Sequence, residues 1–178
     1  MAESVAEDTI LVNRGIYPEQ LRYPAHRICI MSFYELTGDT LDVSQTVIEG
    51  DSYADHDTAT IALFLPGAAD GSTLCGFTLQ GGHGIGPGGW SGAFLADSCD
   101  AVICHNVITS NESFNTPVGN FWHCSGVFRG NHVYDNSFSQ TGLRVHYNLY
   151  WDPVLFEDNT FGPNPSSSDA TFPGVIVS

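Results

Sequence analysis

The segment Ile103-Cys-His-Asn-Val-Ile108 returns in altered form three more times along the chain. The related segments are Leu74-Cys-Gly-Phe-Thr-Leu79, Phe128-Arg-Gly-Asn-His-Val133 and Phe156-Glu-Asp-Asn-Thr-Phe161. The first and sixth positions are apolar in all four copies, which follow one another at offsets of 29, 25 and 28 residues. A period of roughly 20 to 30 residues with short apolar segments indicates a β-solenoid, in which each turn of the chain forms one rung.

Asparagine recurs at two fixed places in these copies. The two columns are Asn106, Asn131 and Asn159 at the fourth position, and Asn111, Asn136 and Asn164 five residues further on. An amide at a buried bend can hydrogen-bond the backbone and the amide of the next rung. We therefore expect a structural asparagine ladder along the solenoid.

Weaker copies of the segment extend the repeat in both directions. They are Thr9-Ile-Leu-Val12, Arg27-Ile-Cys-Ile-Met31, Thr46-Val-Ile-Glu-Gly50 and Phe172-Pro-Gly-Val-Ile-Val177. Together with the four clear copies they predict roughly seven coils in one domain that covers residues 1–178. Nineteen glycines, nine prolines and the absence of helical periodicity also favour an all-β fold with frequent turns.

The charge of the chain excludes several classes of partner. Twenty acidic residues stand against five arginines and no lysine, which gives a net charge of −15. Such a chain repels nucleic acid and anionic lipid, so neither is an expected partner. No apolar run is long enough to insert into a membrane, and the first residues lack the pattern of a signal peptide.

Several longer stretches resemble a known family, the pectin-lyase-like right-handed parallel β-helix proteins. The stretches that carry the resemblance are Ile10–Tyr17, Ser44–Gly50, Leu74–Gly82 and Gly92–Asn111. They look most like β-helix modules of bacterial secreted and cell-surface proteins. The resemblance implies a single-stranded right-handed parallel β-helix, secreted or displayed at the cell surface as part of a larger protein. It does not imply an activity, because this fold supports lyases, hydrolases, adhesins and other modules.

Proteins of this type usually open with a short helix that caps the first rung. Only Ala2 to Asp8 precede the first predicted strand, and the chain stops in Val175-Ile-Val-Ser178. Uncapped rungs expose unpaired backbone and apolar core. We therefore expect either a piece of a larger protein or end-to-end self-association, which could continue into filaments.

Residues that could catalyse a reaction on a polysaccharide are few. Strand alternation predicts that Arg144 and His146 share an outer face. Asp152, Glu157 and Asp158 are the acidic residues predicted on the same coil. An arginine with a carboxylate in one groove would suit a polysaccharide lyase or a glycoside hydrolase, but an ordinary solvated strand face is the simpler interpretation.

Aromatic residues beside the predicted loops are candidates for sugar binding. Trp90, Trp122 and Trp151, with His123, could stack against sugar rings, although loop packing over the core is the simpler interpretation. The five cysteines form no C-x-x-C pair and are expected as buried thiols, with a disulfide as the alternative. The histidines fall in different columns, so no metal site and no cofactor are predicted.

These observations favour a non-catalytic structural or adhesive module that could bind polysaccharide. A carbohydrate-active enzyme and a self-assembling filament subunit are the two alternatives.

Overall fold

The computed structural model describes residues 4–50, 59–68, 70–85, 91–139, 142–146, 153–164 and 175–177, which form a parallel β-solenoid. The first three coils contain β1 (Asp8–Val12), β2 (Gly15–Tyr17), β3 (Leu21–Arg22), β4 (Ile28–Ser32), α1 (Tyr34–Thr37), α2 (Thr40–Ser44), β5 (Thr46–Glu49), β6 (Ala62–Phe64), β7 (Ser72–Cys75), β8 (Thr78–Gln80), β9 (His83–Ile85) and β10 (Phe94–Asp97). The later coils contain β11 (Ala101–Cys104), β12 (Val107–Thr109), β13 (Glu112–Phe114), β14 (Gly119–Trp122), β15 (Gly126–Arg129), β16 (His132–Tyr134), β17 (Ser137–Phe138), β18 (Leu143–His146), β19 (Leu155–Glu157), β20 (Thr160–Phe161) and β21 (Val175–Val177).

Equivalent strands of successive coils stack into parallel sheets. In the described part of the chain, sheet A has the order β1-β4-β7-β11-β15-β19, sheet B the order β2-β5-β8-β12-β16-β20, and sheet C the order β3-β6-β10-β14-β18-β21. A shorter sheet D contains β9, β13 and β17. The solenoid predicted from the repeat is therefore confirmed.

The number of coils is lower than the roughly seven expected. Each of the three larger sheets has six strands in the described residues, and four successive turns carry the clear repeat. Part of the difference arises because two segments that the sequence suggests as separate rungs belong to one coil. They are Arg27–Met31 and Thr46–Gly50. The first lies in sheet A and the second in sheet B.

The repeated apolar columns form the core. Leu74, Ile103 and Phe128 are in register in sheet A, and all three are fully buried. Leu79, Ile108 and Val133 are the corresponding column in sheet B. Phenylalanine rings join these columns from rung to rung, with Phe128 and Phe156 centroids 5.6 Å apart. Burying these rings and the aliphatic side chains around them in a dry interior stabilises the solenoid.

The two asparagine columns form hydrogen-bonded ladders at two corners of the solenoid. In the first ladder, Asn106 Nδ2 donates to Asn131 Oδ1 at 3.2 Å, and Asn131 Nδ2 donates to Asn159 Oδ1 at 3.1 Å. The second ladder repeats this pattern through Asn111, Asn136 and Asn164 at 2.9 and 3.1 Å. Each of these amide oxygens also accepts from the backbone N–H of the preceding coil. The ladders thus satisfy backbone groups that no sheet reaches at the bends.

A helical insertion interrupts the second coil between sheets A and B. It contains α1 and α2, which are joined by Gly38 at φ 66° and Asp39. The side chain of Asp39 caps α2 by accepting a hydrogen bond from the N–H of Leu41 at 3.0 Å. Of the helices that the structure describes, none has the length and apolar character needed to cross a membrane.

Candidate functional site

A concave surface follows the outer side of sheet B, and we call it the sheet B groove. Its volume is about 350 Å³, within the usual range of ligand sites. It is lined by Tyr34, Thr40, Val43, Ser44, His105, Val107, Gly130, His132 and Tyr134. The lining combines aromatic rings, imidazoles and hydroxyl groups, which together can contact both the faces and the polar edges of a ligand.

Strand alternation builds the floor of the groove. In β16, Val133 points into the core and is 1% exposed, whereas His132 and Tyr134 point outward and are exposed. Val107 lies directly opposite His132 in the neighbouring strand β12. The floor is therefore rigid, because its residues belong to paired strands over a packed core.

The helical insertion forms the wall of the groove, and Arg14 fixes it to the first coil. Arg14 Nη2 donates to Asp39 Oδ2 at 2.8 Å, and Arg14 Nε donates to Asp42 Oδ1 at 2.6 Å. Thr37 Oγ1 donates to the other oxygen of Asp42 at 2.6 Å. On the inner side, Thr78 Oγ1 donates to the carbonyl of Val43 at 3.0 Å. The wall is thus attached to two different coils.

The Arg14 contact predicts a specific acid sensitivity. Hydrogen bonds from Arg14 and Thr37 lower the pKa of Asp42 from its ordinary value. A carboxyl with a lowered folded-state pKa contributes stability above its unfolded value near 4, and this contribution is lost as the pH falls through the folded-state pKa. We expect stability to fall more steeply in the wild type than in Arg14→Gln between about pH 5 and about pH 3.

Urea unfolding at a series of pH values measures this difference. Arg22→Gln, which changes an exposed arginine of sheet C, is the matched control and should keep the wild-type slope. Parallel pH profiles for the wild type and Arg14→Gln would contradict the prediction.

One end of the groove meets a cluster of four polar side chains, Glu35, Cys75, Cys104 and His105. Cys75 Sγ donates to Glu35 Oε1 at 3.1 Å, and His105 Nδ1 lies 2.7 Å from the same oxygen. Cys75 Sγ and His105 Nδ1 are 3.8 Å apart. The two sulfurs and one imidazole nitrogen all lie within 4.8 Å of one another.

The protonation of this cluster follows from its contacts. Hydrogen bonding to Cys104 and burial raise the pKa of the Cys75 thiol well above its ordinary value, and the carboxylate of Glu35 adds to this effect. Burial also raises the pKa of Glu35, but the hydrogen bonds with His105 and Cys75 outweigh burial and leave this pKa lowered. At neutral pH the cluster therefore contains a protonated Cys75 thiol beside a charged carboxylate.

The repeat explains how three of these residues meet. Cys75 and Cys104 are direct register partners in β7 and β11, so their side chains point the same way from adjacent rungs. His105 follows at φ 53°, a left-handed turn position, and its ring lies over Gly130 of the next coil. A Cβ at Gly130 would lie 2.3 Å from His105 Cδ2, so this glycine is what leaves room for the ring.

Sequence reasoning missed this cluster, because it considered histidine columns and C-x-x-C spacing separately. The signal was present, since aligning the repeats places Cys75 above Cys104 with His105 adjacent. The position of Glu35 had no such signal, because it lies in the insertion outside the repeat.

A second group of rings, which we call the ring cluster, consists of Trp122, His123 and His146 at the carboxyl ends of strands β14 and β18 of sheet C. Trp122 and His146 are register partners whose rings stack at 4.2 Å with an interplanar angle of 9°. His123 is 5.1 Å from Trp122 and 5.2 Å from His146. The structure thus brings together three of the residues selected from the sequence, all partly exposed. One face of Trp122 is covered by His146, so that face is closed to a sugar ring.

The catalytic candidates do not share one sheet. Arg144 and His146 alternate with buried Leu143 and Val145 in β18, so both point outward as expected. Glu157 lies in sheet A, opposite Arg129, with 4.0 Å between Arg129 Nη1 and Glu157 Oε2. Asp158 follows it at φ 51°. Because sheets A and C are different faces of the solenoid, the grouping of Arg144 with Glu157 and Asp158 has no support in this arrangement.

Three of the selected residues lie outside the described residues: Trp90, Trp151 and Asp152. The cysteines are buried thiols as expected at positions 75, 99, 104 and 124, while Cys29 is half-buried.

A comparison of the chain with protein families, curated proteins and solved structures found no match.

Proposed function

We propose that this chain is a non-catalytic β-helix module of a secreted or cell-surface protein, and that it binds a polysaccharide along the sheet B groove. The same proposal places the chain among the right-handed, pectin-lyase-like β-helix proteins that its sequence resembles. The observation that carries the binding function is the concave arrangement of His132 and Tyr134 on a rigid strand surface beside Tyr34 of the helical insertion.

The groove suits a sugar chain for physical reasons. Tyrosine rings offer apolar faces to the C–H surface of a sugar, and their hydroxyl groups bond to its edge. Thr40 and Ser44 add further hydroxyl groups on the wall. The groove also runs over neighbouring strands of stacked coils, so a linear polymer can extend beyond a single sugar ring.

The charge of the protein favours a neutral polymer. With a net charge of −15, the chain repels polyanions such as uronic-acid polysaccharides at moderate ionic strength. We therefore expect binding to neutral glucans, mannans or xylans rather than to pectate or alginate.

Removal of one ring tests the proposal. Tyr134→Ala should weaken binding of the best neutral polysaccharide about tenfold, since an aromatic contact is worth roughly 1 kcal/mol or more. Affinity electrophoresis and calorimetry measure this change. Phe114→Ala is the matched control, because Phe114 is an exposed ring of sheet D outside the groove.

Equal losses in Tyr134→Ala and Phe114→Ala would contradict binding in the groove. A loss in Trp122→Ala alone would assign binding to the ring cluster instead. New reducing ends or unsaturated products in the same samples would support the alternative of a carbohydrate-active enzyme, and rods longer than one chain in electron micrographs would support the filament alternative.

A further inference from the structure

We propose that Cys75, Cys104, His105 and Glu35 bind a zinc ion. The proposal goes beyond the carbohydrate-binding function and does not depend on it. The bound ion would link two rungs of the solenoid, through Cys75 and Cys104, to Glu35 of the helical insertion.

The donor set determines the class of metal. Two thiolates with an imidazole and a carboxylate are ligands that select Zn²⁺ over the harder Ca²⁺ and Mg²⁺, which prefer oxygen alone. Among the described residues, Cys75, Cys104 and His105 are the one group of three such side chains whose ligand atoms come this close together. Glu35 supplies the fourth ligand that a tetrahedral site requires.

The two sulfurs and the imidazole nitrogen, all within 4.8 Å of one another, lie close to the spacing of a tetrahedral site. Zinc bonds of about 2.3 Å to sulfur and about 2.0 Å to nitrogen place sulfur and nitrogen about 3.5 Å apart and the two sulfurs about 3.8 Å apart. Cys75 Sγ and His105 Nδ1 are already separated by 3.8 Å. Glu35 Oε1 lies 2.7 Å from His105 Nδ1 and 3.1 Å from Cys75 Sγ, so its partly exposed side chain must shift to place one oxygen opposite Cys104 as the fourth ligand.

Rigidity and access also favour a metal. Cys75 and Cys104 are 1% and 4% exposed on paired strands, so their sulfurs are held in place. His105 and Glu35 each expose 32% of the side chain, which gives an ion a path from solvent. The T-shaped contact between the rings of Tyr34 and His105, with centroids 5.5 Å apart, further fixes the imidazole.

A disulfide between Cys75 and Cys104 is the competing interpretation. A disulfide would not explain why Glu35 and His105 lie against these sulfurs. The pair Cys99 and Cys124 provides the internal comparison, since Cys99 N donates to Cys124 Sγ at 3.4 Å across adjacent coils. That pair is fully buried, and Cys99 Sγ donates to a backbone carbonyl instead of a carboxylate.

Metal binding has a defined proton balance. Both thiols lose their protons to solvent, Glu35 binds as the carboxylate, and His105 binds through Nδ1 as the neutral imidazole with its proton on Nε2. Two protons are therefore released for each zinc ion, and the four ligands with the ion carry a net charge of −1.

Titration of the reduced 178-residue chain with Co²⁺ and then Zn²⁺ tests the proposal without any polysaccharide. We expect one Co²⁺ per chain, a sulfur-to-cobalt charge-transfer band, intense tetrahedral visible bands, and displacement of all of these by one equivalent of Zn²⁺. Zn²⁺ should also raise the melting temperature.

Variants locate the site. Replacing Cys75 and Cys104 together by alanine should abolish the charge-transfer band, whereas the matched double replacement of Cys99 and Cys124 by alanine should keep it. Glu35→Gln changes a partly exposed side chain, so the fold is retained. Co²⁺ affinity should fall by tenfold or more in this variant, because even changes outside the ligand set cost about 10- to 100-fold.

Several outcomes would overturn the proposal. They are a reduced, folded chain that gives no charge-transfer band, a band that survives in the Cys75 and Cys104 variant, or unchanged Co²⁺ affinity in Glu35→Gln. Tyr134→Ala should still bind the ion, so loss of polysaccharide binding and loss of metal binding are separate results.

Discussion

Asn131→Ala is expected to lower the free energy of unfolding by about 4 kcal/mol, which is a large part of the roughly 5 to 15 kcal/mol that holds a domain together. Asn131 is fully buried in the middle of the first ladder. Its Oδ1 accepts from the backbone N–H of Asn106 at 3.0 Å, and its Nδ2 donates to the carbonyl of Ile103 at 2.9 Å. Alanine leaves both backbone groups buried without this partner, at about 1 to 3 kcal/mol each.

Urea denaturation followed by circular dichroism measures the loss. Asn13→Ala is the matched control, because the register of Ile10 with Ile30, Leu74 and Ile103 places Asn13 in the same corner column. Its side chain is exposed, so the control should change stability by less than about 0.5 kcal/mol. Equal losses of unfolding free energy in the two variants would show that the ladder hydrogen bonds do not stabilise the corner.

Gly126→Ala should lower the free energy of unfolding as much as Asn131→Ala, because of the backbone conformation and packing at this glycine. Gly126 begins β15 at φ 124°, where an L side chain is strained. A Cβ at this position would lie 2.2 Å from the carbonyl oxygen of Ala101 in the preceding strand. Strain and the forced separation of two paired strands together cost about 4 kcal/mol.

Gly67→Ala separates these two effects. Gly67 has φ 95°, but a Cβ there would meet no atom of the described residues within 4 Å. The control should therefore cost only the strain of about 1 to 2 kcal/mol. Thermal and urea unfolding of both variants gives the difference, and a Gly126→Ala effect no larger than that of Gly67→Ala would contradict the clash with Ala101.

The repeat made the solenoid predictable because inter-rung contacts impose the same demand on every coil. Ile103 and Phe128 occupy one column because each fills the core at the same position of its coil. Asn106 and Asn131 recur because each hydrogen-bonds the backbone at the same corner. The coil count was less accurate, because apolar segments of sheets A and B look alike in sequence. Nothing in Thr46–Gly50 distinguishes a second sheet of one coil from a new coil.

The candidate sites were less predictable because they depend on parts outside the repeat. His132 and Tyr134 alternate as a strand should, but the groove above them exists only because the insertion supplies Tyr34 and Ser44. Similarly, Trp122 was selected as a sugar-binding ring, whereas register places His146 directly against its face. Both the groove and the covered face of Trp122 depend on which residues lie next to each other in space, and the sequence of a single strand does not show this.

The asparagine ladders also have a direction, which bears on how the chain can assemble. Each amide oxygen serves the N–H group of the coil before it, so a corner is completed only when the next 25 to 28 residues have been laid down. A chain folding from its N-terminus during synthesis would present an unfinished corner in each ladder at its growing tip. That tip is a template for the next coil, since an asparagine at the correct spacing completes the hydrogen bonds of each ladder.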